Sequence, residues 1–254
     1  MRIDTYLFQN NRYSSRTKAA EAIARGEVFV NGKPVKKPSL EVEETDKIEI
    51  IITAQTFVSN GGYKLEKAFE DFNFSANGLT FADVGASTGG FTDCLLKHGA
   101  KKVFAIDVGE SLLSCELKKD DRVVVIDNFN ARNLNEQALG ELVDGVVCDV
   151  SFISLTYVLA QIHSVLKENG FAIVLVKPQF ECGKKELNKN GIVTDKKART
   201  NCVKKILDFA TTIGFSPINF TNAPIKQDKN REYLLFLSKS QAQHIKFTTI
   251  ENLI

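Results

Sequence analysis

From Leu79 onward the chain switches repeatedly between short apolar runs and longer stretches with apolar residues every three or four positions. The runs Val123-Val124-Val125-Ile126 and Ala172-Ile173-Val174-Leu175-Val176 contain no polar residue, the pattern of strands buried on both faces. Strands are predicted at 79–84, 102–107, 122–126, 143–149, 170–177, 215–221 and 232–238. Helices are predicted near 64–73, 90–98, 110–118, 134–141, 155–168 and 198–213. This alternation predicts an α/β fold with a doubly wound sheet, whose ligands gather at the carboxyl ends of the strands.

The first fifty residues follow a different pattern. Ser14-Ser15 can cap a helix running through Arg16, Ala19, Ala20, Ile23 and Ala24, which Gly26 stops. Val28-Phe29-Val30 and Val35 flank Asn31-Gly32, a dipeptide disposed to a tight hairpin turn. A strand from Lys47 to Ile52 closes this small α+β module, and Thr53 to Tyr63 reads as a connector. The expected division is a module at 1–53, a linker at 54–63 and a large domain at 64–254.

Chemistry enters at Asp83-Val84-Gly85-Ala86-Ser87-Thr88-Gly89-Gly90-Phe91-Thr92-Asp93, where a predicted strand runs into a glycine-rich turn that opens a helix. Glycines there let the backbone turn tightly and let a ligand approach. A phosphate-binding P-loop is excluded because Phe91 stands where its lysine belongs, and the dinucleotide fingerprint fails because Ser87 occupies its second glycine. The remaining pattern, Asp-x-Gly-x-x-x-Gly-Gly, resembles the first motif of S-adenosylmethionine (SAM) methyltransferases. On that resemblance the cofactor contacts are Asp83, Gly85, Ala86, Ser87, Thr88, Gly89, Gly90 and Phe91. Asp107, ending the second strand, is placed to accept both ribose hydroxyls of a nucleoside, which suits NAD and SAM alike. Asp127 and Asn128, ending the third, can take an adenine amine. The cationic sulfonium of SAM favours a site with a carboxylate near Asp83, where an anionic pyrophosphate does not.

Composition narrows the setting. The 254 residues are 43% hydrophobic and 25% charged, ordinary for a soluble globular protein. Five cysteines form no Cys-x-x-Cys pair and have no histidine at ligand spacing, so neither a metal nor a disulfide framework is expected. The N-terminus lacks the apolar core of a signal peptide, and the longest apolar run is far short of a membrane span, so a cytoplasmic protein with no membrane partner is expected. Nothing implies an oligomer.

Net charge is only +2, yet it is unevenly spread. Residues 1–37 carry eight Lys/Arg against three acids, whereas 38–53 carry five acids against Lys47. A second basic cluster comprises Lys184, Lys185, Lys189, Lys196, Lys197, Arg199, Lys204 and Lys205, opposed only by Glu186 and Asp195. Such clusters attract phosphates regardless of base sequence. RNA is the expected partner, with Arg2, Arg16, Lys18, Arg25, Lys33, Lys36, Lys184 and Lys185 as contacts.

Four further charged residues fall at ligand-edge positions. Lys64 opens the first helix of the large domain, Asp149 ends the fourth strand, Lys177 ends the fifth and Glu232 begins the last. In the SAM methyltransferase sheet that last strand is antiparallel, so its start shares an edge with the parallel strands' ends. Two lysines and two acids suit methylation of a weakly acidic hydroxyl, in which much of the catalysis is in-line positioning. A lysine can serve as the base where burial and a neighbouring ammonium disfavour its charged form. Lys177 is assigned as base and Lys64 as lining the ribose, with Asp149 and Glu232 fixing them; the two lysines could exchange roles.

These motifs together resemble the TlyA family, also called hemolysin A: an N-terminal S4 RNA-binding domain joined to an FtsJ/RrmJ-like ribose 2′-O-methyltransferase with a Rossmann-like, seven-stranded sheet. The S4 likeness lies in Arg2-Ile3-Asp4, Ser15-Arg16, Gly26 to Gly32 and Asp46-Lys47-Ile48. The TlyA likeness lies in Val58 to Leu65, Asp83 to Asp93, Cys148 to Leu155 and Val176 to Glu181. Lys64, Asp149, Lys177 and Glu232 match the Lys-Asp-Lys-Glu tetrad of ribose methyltransferases. The resemblance implies SAM as cofactor and a cytidine 2′-hydroxyl in ribosomal RNA as substrate, with large-subunit (23S) rRNA favoured for a chain of the shorter type and 16S rRNA as the other possibility. Competing readings are a non-catalytic ribosome-assembly factor, against which the intact tetrad speaks, and a membrane-active hemolysin, for which the chain has no spanning segment. Base methylation is disfavoured because Asp149-Val150-Ser151-Phe152 lacks the prolines of the usual base-methylating motif.

Overall fold

The computed structural model describes residues 1–13, 15–24, 26–43, 45–51, 57–224 and 229–254. The chain forms two compact units, Met1–Thr56 and Phe57–Ile254.

In the first unit, helices α1 (Ile3–Gln9) and α2 (Arg16–Ala24) pack with a small sheet of β1 (Val28–Val30), β2 (Lys33–Pro34) and β3 (Ile48–Ile50). Strand β1 is central and antiparallel to both neighbours. The hairpin falls where Asn31-Gly32 predicts it, with φ of +51° and +74°. Ile3, Leu7, Ala19, Ala22, Ile23 and Val28 make the core. Helix α1 has no counterpart in the sequence-based prediction, and the predicted cap residue Ser14 lies outside the described residues.

The second unit is built on seven strands: β4 (Thr80–Val84), β5 (Lys102–Ile106), β6 (Val123–Ile126), β7 (Val143–Cys148), β8 (Leu166–Val176), β9 (Ser216–Asn222) and β10 (Tyr233–Ser238). Their order is β6-β5-β4-β7-β8-β10-β9, with β10 antiparallel to both β8 and β9. The predicted α/β sheet with an antiparallel last strand is therefore present. Successive residues of a strand point to opposite faces. Accordingly Ala82, Val84, Val146, Cys148, Val174 and Val176 join one core, whereas Phe81, Ala105, Val147, Ile173 and Leu175 join the other.

Helices α3 (Asn60–Phe72) and α4 (Gly90–Lys97) cover the second core. Helices α5 (Glu136–Leu139), α6 (Leu159–Val165), α7 (Pro178–Glu181), α8 (Lys196–Thr212) and α9 (Phe247–Leu253) complete the unit. Two predicted helices are corrected. Over 110–118 no α-helix forms, only a 3-10 turn at Leu117–Lys119, because Ser111 takes φ +56° and gives its N–H to Asp127 Oδ2 at 3.0 Å. The helix predicted at 155–168 is a 3-10 turn at Leu155–Tyr157 followed by α6, and from Leu166 the chain already pairs with β7. Helix α3 begins at Asn60, inside the predicted connector.

Strand order reverses between β4 and β7, whose carboxyl ends therefore flank a topological switch point, where ligands of such sheets bind.

Candidate active site

The turn after β4 occupies one side of that switch point. Gly85 has φ +85°, and a Cβ built there would lie 2.8 Å from the carbonyl oxygen of Asp149, beyond the neighbouring β7. Gly89 has φ +94°, and its Cβ would lie 2.3 Å from Leu117 Cδ1. The backbone and its protein neighbours thus require both glycines before any ligand is considered. Ser87 and Thr88 form the exposed crest, whereas Ala86, Gly89, Gly90 and Phe91 are buried. Asp83 is fully buried beneath the crest, where Oδ2 accepts from Thr92 N and Oγ1 at 2.9 and 2.7 Å. Burial pushes its carboxyl up to about 7, with the charges of Asp149 and Asp107 adding to the rise.

Asp107, just beyond β5, is held by two backbone donors: Ser87 N–H at 2.8 Å on Oδ2 and Gly109 N–H at 2.8 Å on Oδ1. Asp127, just beyond β6, accepts from Ser111, and Asn128 is exposed with φ +56°. These three residues line the ends of adjacent parallel strands, beside the crest.

On the other side of the switch point, the structure brings Lys64, Asp149, Lys177 and Glu232 together from four separate segments. Lys64, in the second turn of α3, has Nζ 2.6 Å from Glu232 Oε2 and 3.7 Å from Asp149 Oδ2. Lys177 Nζ lies 2.5 Å from Asp149 Oδ1 as an ion pair and donates a hydrogen bond to Ser151 Oγ at 2.8 Å. Asp149 therefore bridges the two ammonium groups. The pairing of Tyr233 with Val176 sets Glu232 across from Lys177, but the bond it makes is to Lys64, with Gln179 Nε2 3.4 Å from its other oxygen. Lys177 is the more buried lysine, its side chain 10% exposed against 20% for Lys64.

Comparison with known proteins places the chain in a family. Residues 57–239 match the model of the FtsJ-like methyltransferases, and residues 1–48 match the S4 domain. The chain belongs to the FtsJ-like methyltransferase family. It is 44% identical to "Hemolysin A" of Brachyspira hyodysenteriae over 92% of this chain and 98% of the relative. It is 38% identical to the "16S/23S rRNA (cytidine-2'-O)-methyltransferase TlyA" of Mycobacterium tuberculosis over 93% of this chain and 89% of that one. A solved structure from Streptococcus thermophilus, described as a candidate hemolysin, superposes with a TM-score of 0.77 at 34% identity, covering 100% of this chain and 94% of that one. Among the described residues no helix is long and apolar enough to cross a membrane.

FtsJ-like methyltransferases take their methyl group from SAM, and the residues here fit that molecule. Asp107, beside the glycine turn, supplies an acidic group on the cofactor side of the switch point, which suits a cation better than a pyrophosphate. Asp107 is held by backbone donors while keeping lone pairs for hydroxyls. Asp83 Oδ1 is a buried acceptor with no partner among the described residues. When bound, SAM supplies an electrophilic methyl group on a cationic sulfur.

The predicted RNA contacts are less uniform. Lys18, Lys33, Lys36, Lys184 and Lys185 are exposed, and Arg25 lies outside the described residues. Arg2 and Arg16 both bind the carboxylate of Asp4, at 3.0 and 2.9 Å, with their guanidinium groups half exposed. In the second basic cluster Arg199 is buried, donating to the carbonyls of Val193 and Thr194 and to Tyr233 Oη. It is a strut between α8 and the sheet.

Sequence reasoning missed Phe152. This ring is 91% exposed and sits at φ +63°, a left-handed conformation that is unusual for an aromatic residue. Its centroid is 5.0 Å from that of Phe180, whose ring lies 5.9 Å from Lys177 Nζ. No sequence pattern signals the conformation; only the position three residues after Asp149 hints at a role.

Among the described residues one cluster has the composition of a metal site: Glu66, Cys94 and His98, the last two one helical turn apart. The geometry fits a direct hydrogen bond instead. His98 Nε2 lies 2.7 Å from Glu66 Oε2 and the imidazole stacks on Phe69. Tetrahedral donors about 2.0–2.1 Å from one zinc ion stand more than about 3 Å apart. Burial also raises the Cys94 thiol well above its ordinary range, favouring the protonated form.

Proposed function

We propose that this enzyme transfers a methyl group from SAM to the 2′-hydroxyl of a cytidine in ribosomal RNA, free or within a ribosomal subunit, in the cytoplasm. The observation that carries the proposal is the Asp149-centred quartet, in which each lysine is held by a carboxylate beside the glycine turn. Large-subunit 23S rRNA is the preferred target. The chain covers 100% of the Campylobacter jejuni relative named for 23S rRNA at 31% identity, but 89% of the Mycobacterium tuberculosis relative named for both rRNAs.

In the proposed mechanism Lys64 and Lys177 receive the ribose, and Asp149 sets the distance between them. Lys177 would receive the hydroxyl proton of the target ribose, and SAM, where bound, would supply the methyl group that the 2′-oxygen takes up as that group's bond to sulfur is given up. Ser151 and Asp149 orient Nζ for that transfer, and Glu232 keeps Lys64 from swinging away. Asp107 would hold the cofactor's ribose hydroxyls and Asp127 or Asn128 its adenine amine, while Asp83 acts from beneath by holding the first turn of α4 through Thr92. The exposed Phe152 ring, beside Phe180, offers a stacking surface for the target base once it leaves its helix. Residues 1–53 gather rRNA phosphates through Lys18, Lys33 and Lys36, and Lys184 and Lys185 do so next to the site.

The test is to map ribose methylations in rRNA from cells with and without the protein, and to follow labelled methyl transfer from SAM to rRNA in vitro. Loss of one 2′-O-methylcytidine without the protein is expected. An unchanged methylation map together with no transfer would remove the proposal.

A further inference from the structure

Two short segments carry the acceptor side of the site: the loop after β7, residues 149–155, and the turn after β8, residues 177–181. They touch at two places. At the first, Lys177 binds Asp149 and Ser151. At the second, the side chain of Glu181 reaches back across the loop, accepting the Ser154 hydroxyl on Oε2 at 2.5 Å and the Leu155 N–H on Oε1 at 2.8 Å. Ser154 Oγ in turn lies 2.9 Å from Thr156 Oγ1. Phe152 lies between the two anchors.

The second anchor is chemically unusual. The Glu181 side chain is only 2% exposed, and the nearest cation, Lys205 Nζ, is 3.6 Å from Oε2. Lys205 also donates to the Glu181 carbonyl at 3.2 Å, so its charge is shared. Burial raises the Glu181 carboxyl above its ordinary range. Burying an acid is unfavourable unless its oxygens are satisfied, and here the satisfying donors come chiefly from the neighbouring loop. What the loop gains is a conformation it would otherwise leave. Phe152 at φ +63° is a side-chain-bearing residue in a region that persists only where its surroundings over-determine it.

We propose that Glu181 is the positioning residue for the acceptor: it clamps Ser154 and Leu155 so that Asp149, Ser151 and Phe152 keep their register against Lys177 and Phe180. This rests on the ribose-methylation reading and deepens it. Glu181 touches no reacting atom; it acts through the loop. Misplacement by about 1 Å at a distance from the reacting atoms can cost about 10²-fold in rate.

The experiment uses the full chain with Glu181→Ala, Glu181→Gln and Ser154→Ala. Hydrogen exchange at the Leu155 amide is read together with SAM affinity and with kcat and KM for rRNA. Glu181→Ala should expose the Leu155 amide and lower kcat by about 10²-fold, with SAM affinity unchanged. Glu181→Gln keeps an acceptor for Leu155 and should stay within about fivefold of the parent, the worth of one net hydrogen bond. Ser154→Ala, which leaves Glu181 in place, should lose about tenfold in kcat, the lower range for a bond to a charged group. The proposal is overturned if Glu181→Ala turns over like the parent, or if Glu181→Gln falls as far as Glu181→Ala with the same loss of thermal stability. Should Glu181→Ala not fold, parent-like kcat in Ser154→Ala overturns it. If the parent itself transfers no methyl, the ribose-methylation reading fails, and unchanged Leu155 protection in Glu181→Ala still decides against the clamp.

Discussion

Lys177 offers the sharpest test of the chemistry, because two substitutions separate its possible roles. Lys177→Ala removes both a proton acceptor and the ammonium 2.5 Å from Asp149. Lys177→Arg keeps a cation near Asp149 and Ser151, but a guanidinium does not give up its proton in a protein. A positioned base contributes about 10²–10⁴-fold, or roughly 3–5 kcal/mol of barrier. Both variants should therefore lose at least about 10²-fold in single-turnover transfer of labelled methyl from SAM to rRNA. SAM affinity by calorimetry should hardly change, since Lys177 lies on the acceptor side of the switch point. Stability should part them. In Lys177→Ala, Asp149 keeps only Lys64 at 3.7 Å. Losing a partly buried bond to a charged group costs about 1.5–3 kcal/mol, a fall of roughly 3–10 °C in Tm for a unit of this size. Lys177→Arg should lose less. If Lys177→Arg transfers methyl within about tenfold of the parent, Lys177 is a counterion, and the base must be sought in Lys64.

Three further outcomes are expected. Phe152→Gly should stabilise the protein by about 1 kcal/mol, by relieving a left-handed conformation, while lowering kcat/KM for rRNA by the about 1–3 kcal/mol of a stacked base; unchanged kcat/KM would remove the stacking role. Asp83→Asn addresses pH. A carboxyl raised by burial to about 7 from 3.8 lets the native state keep a proton that the unfolded chain releases, so stability should fall as pH rises from about 4 to about 7 and stay level above. The loss is at most about 4 kcal/mol at 1.36 kcal/mol per unit, and denaturant melts of Asp83→Asn should show a flatter profile across that window. Lys18→Gln combined with Lys33→Gln should reduce the salt slope of RNA binding by about 0.7–0.9 for each phosphate no longer neutralised; an unaltered slope means those lysines do not meet phosphates.

The sheet is legible in the sequence because its strands are unbroken apolar runs: 172–176 is buried as such a run predicts, whereas 123–126 forms the edge strand β6, where Val124 and Val125 are exposed because no further strand covers them. The quartet is legible for a related reason. Asp149 and Lys177 are the first charged residues after such runs, which places them at strand ends whatever the helices do. Local polar chemistry hides the rest. Residues 110–118 have helical spacing, but the carboxylate of Asp127 captures the Ser111 amide and the segment turns instead. Arg199 reads as part of a basic surface, yet the carbonyls of Val193 and Thr194 draw it inside. Asp83 reads as a ligand contact and lies beneath the crest, because Thr92 supplies it with two donors. Asp149 as the bridge between two lysines, and Phe152 as an exposed ring, depend on side-chain and backbone angles that no spacing encodes.

The approach of Gly85 to the carbonyl of Asp149 leaves no room for a side chain between the glycine turn and the end of β7. A larger residue at 85 would push against the very acid that pairs with both lysines. On the proposed placement of SAM, redesign toward bulkier cofactor analogues would therefore have to work at Asp127 and Asn128, away from that contact.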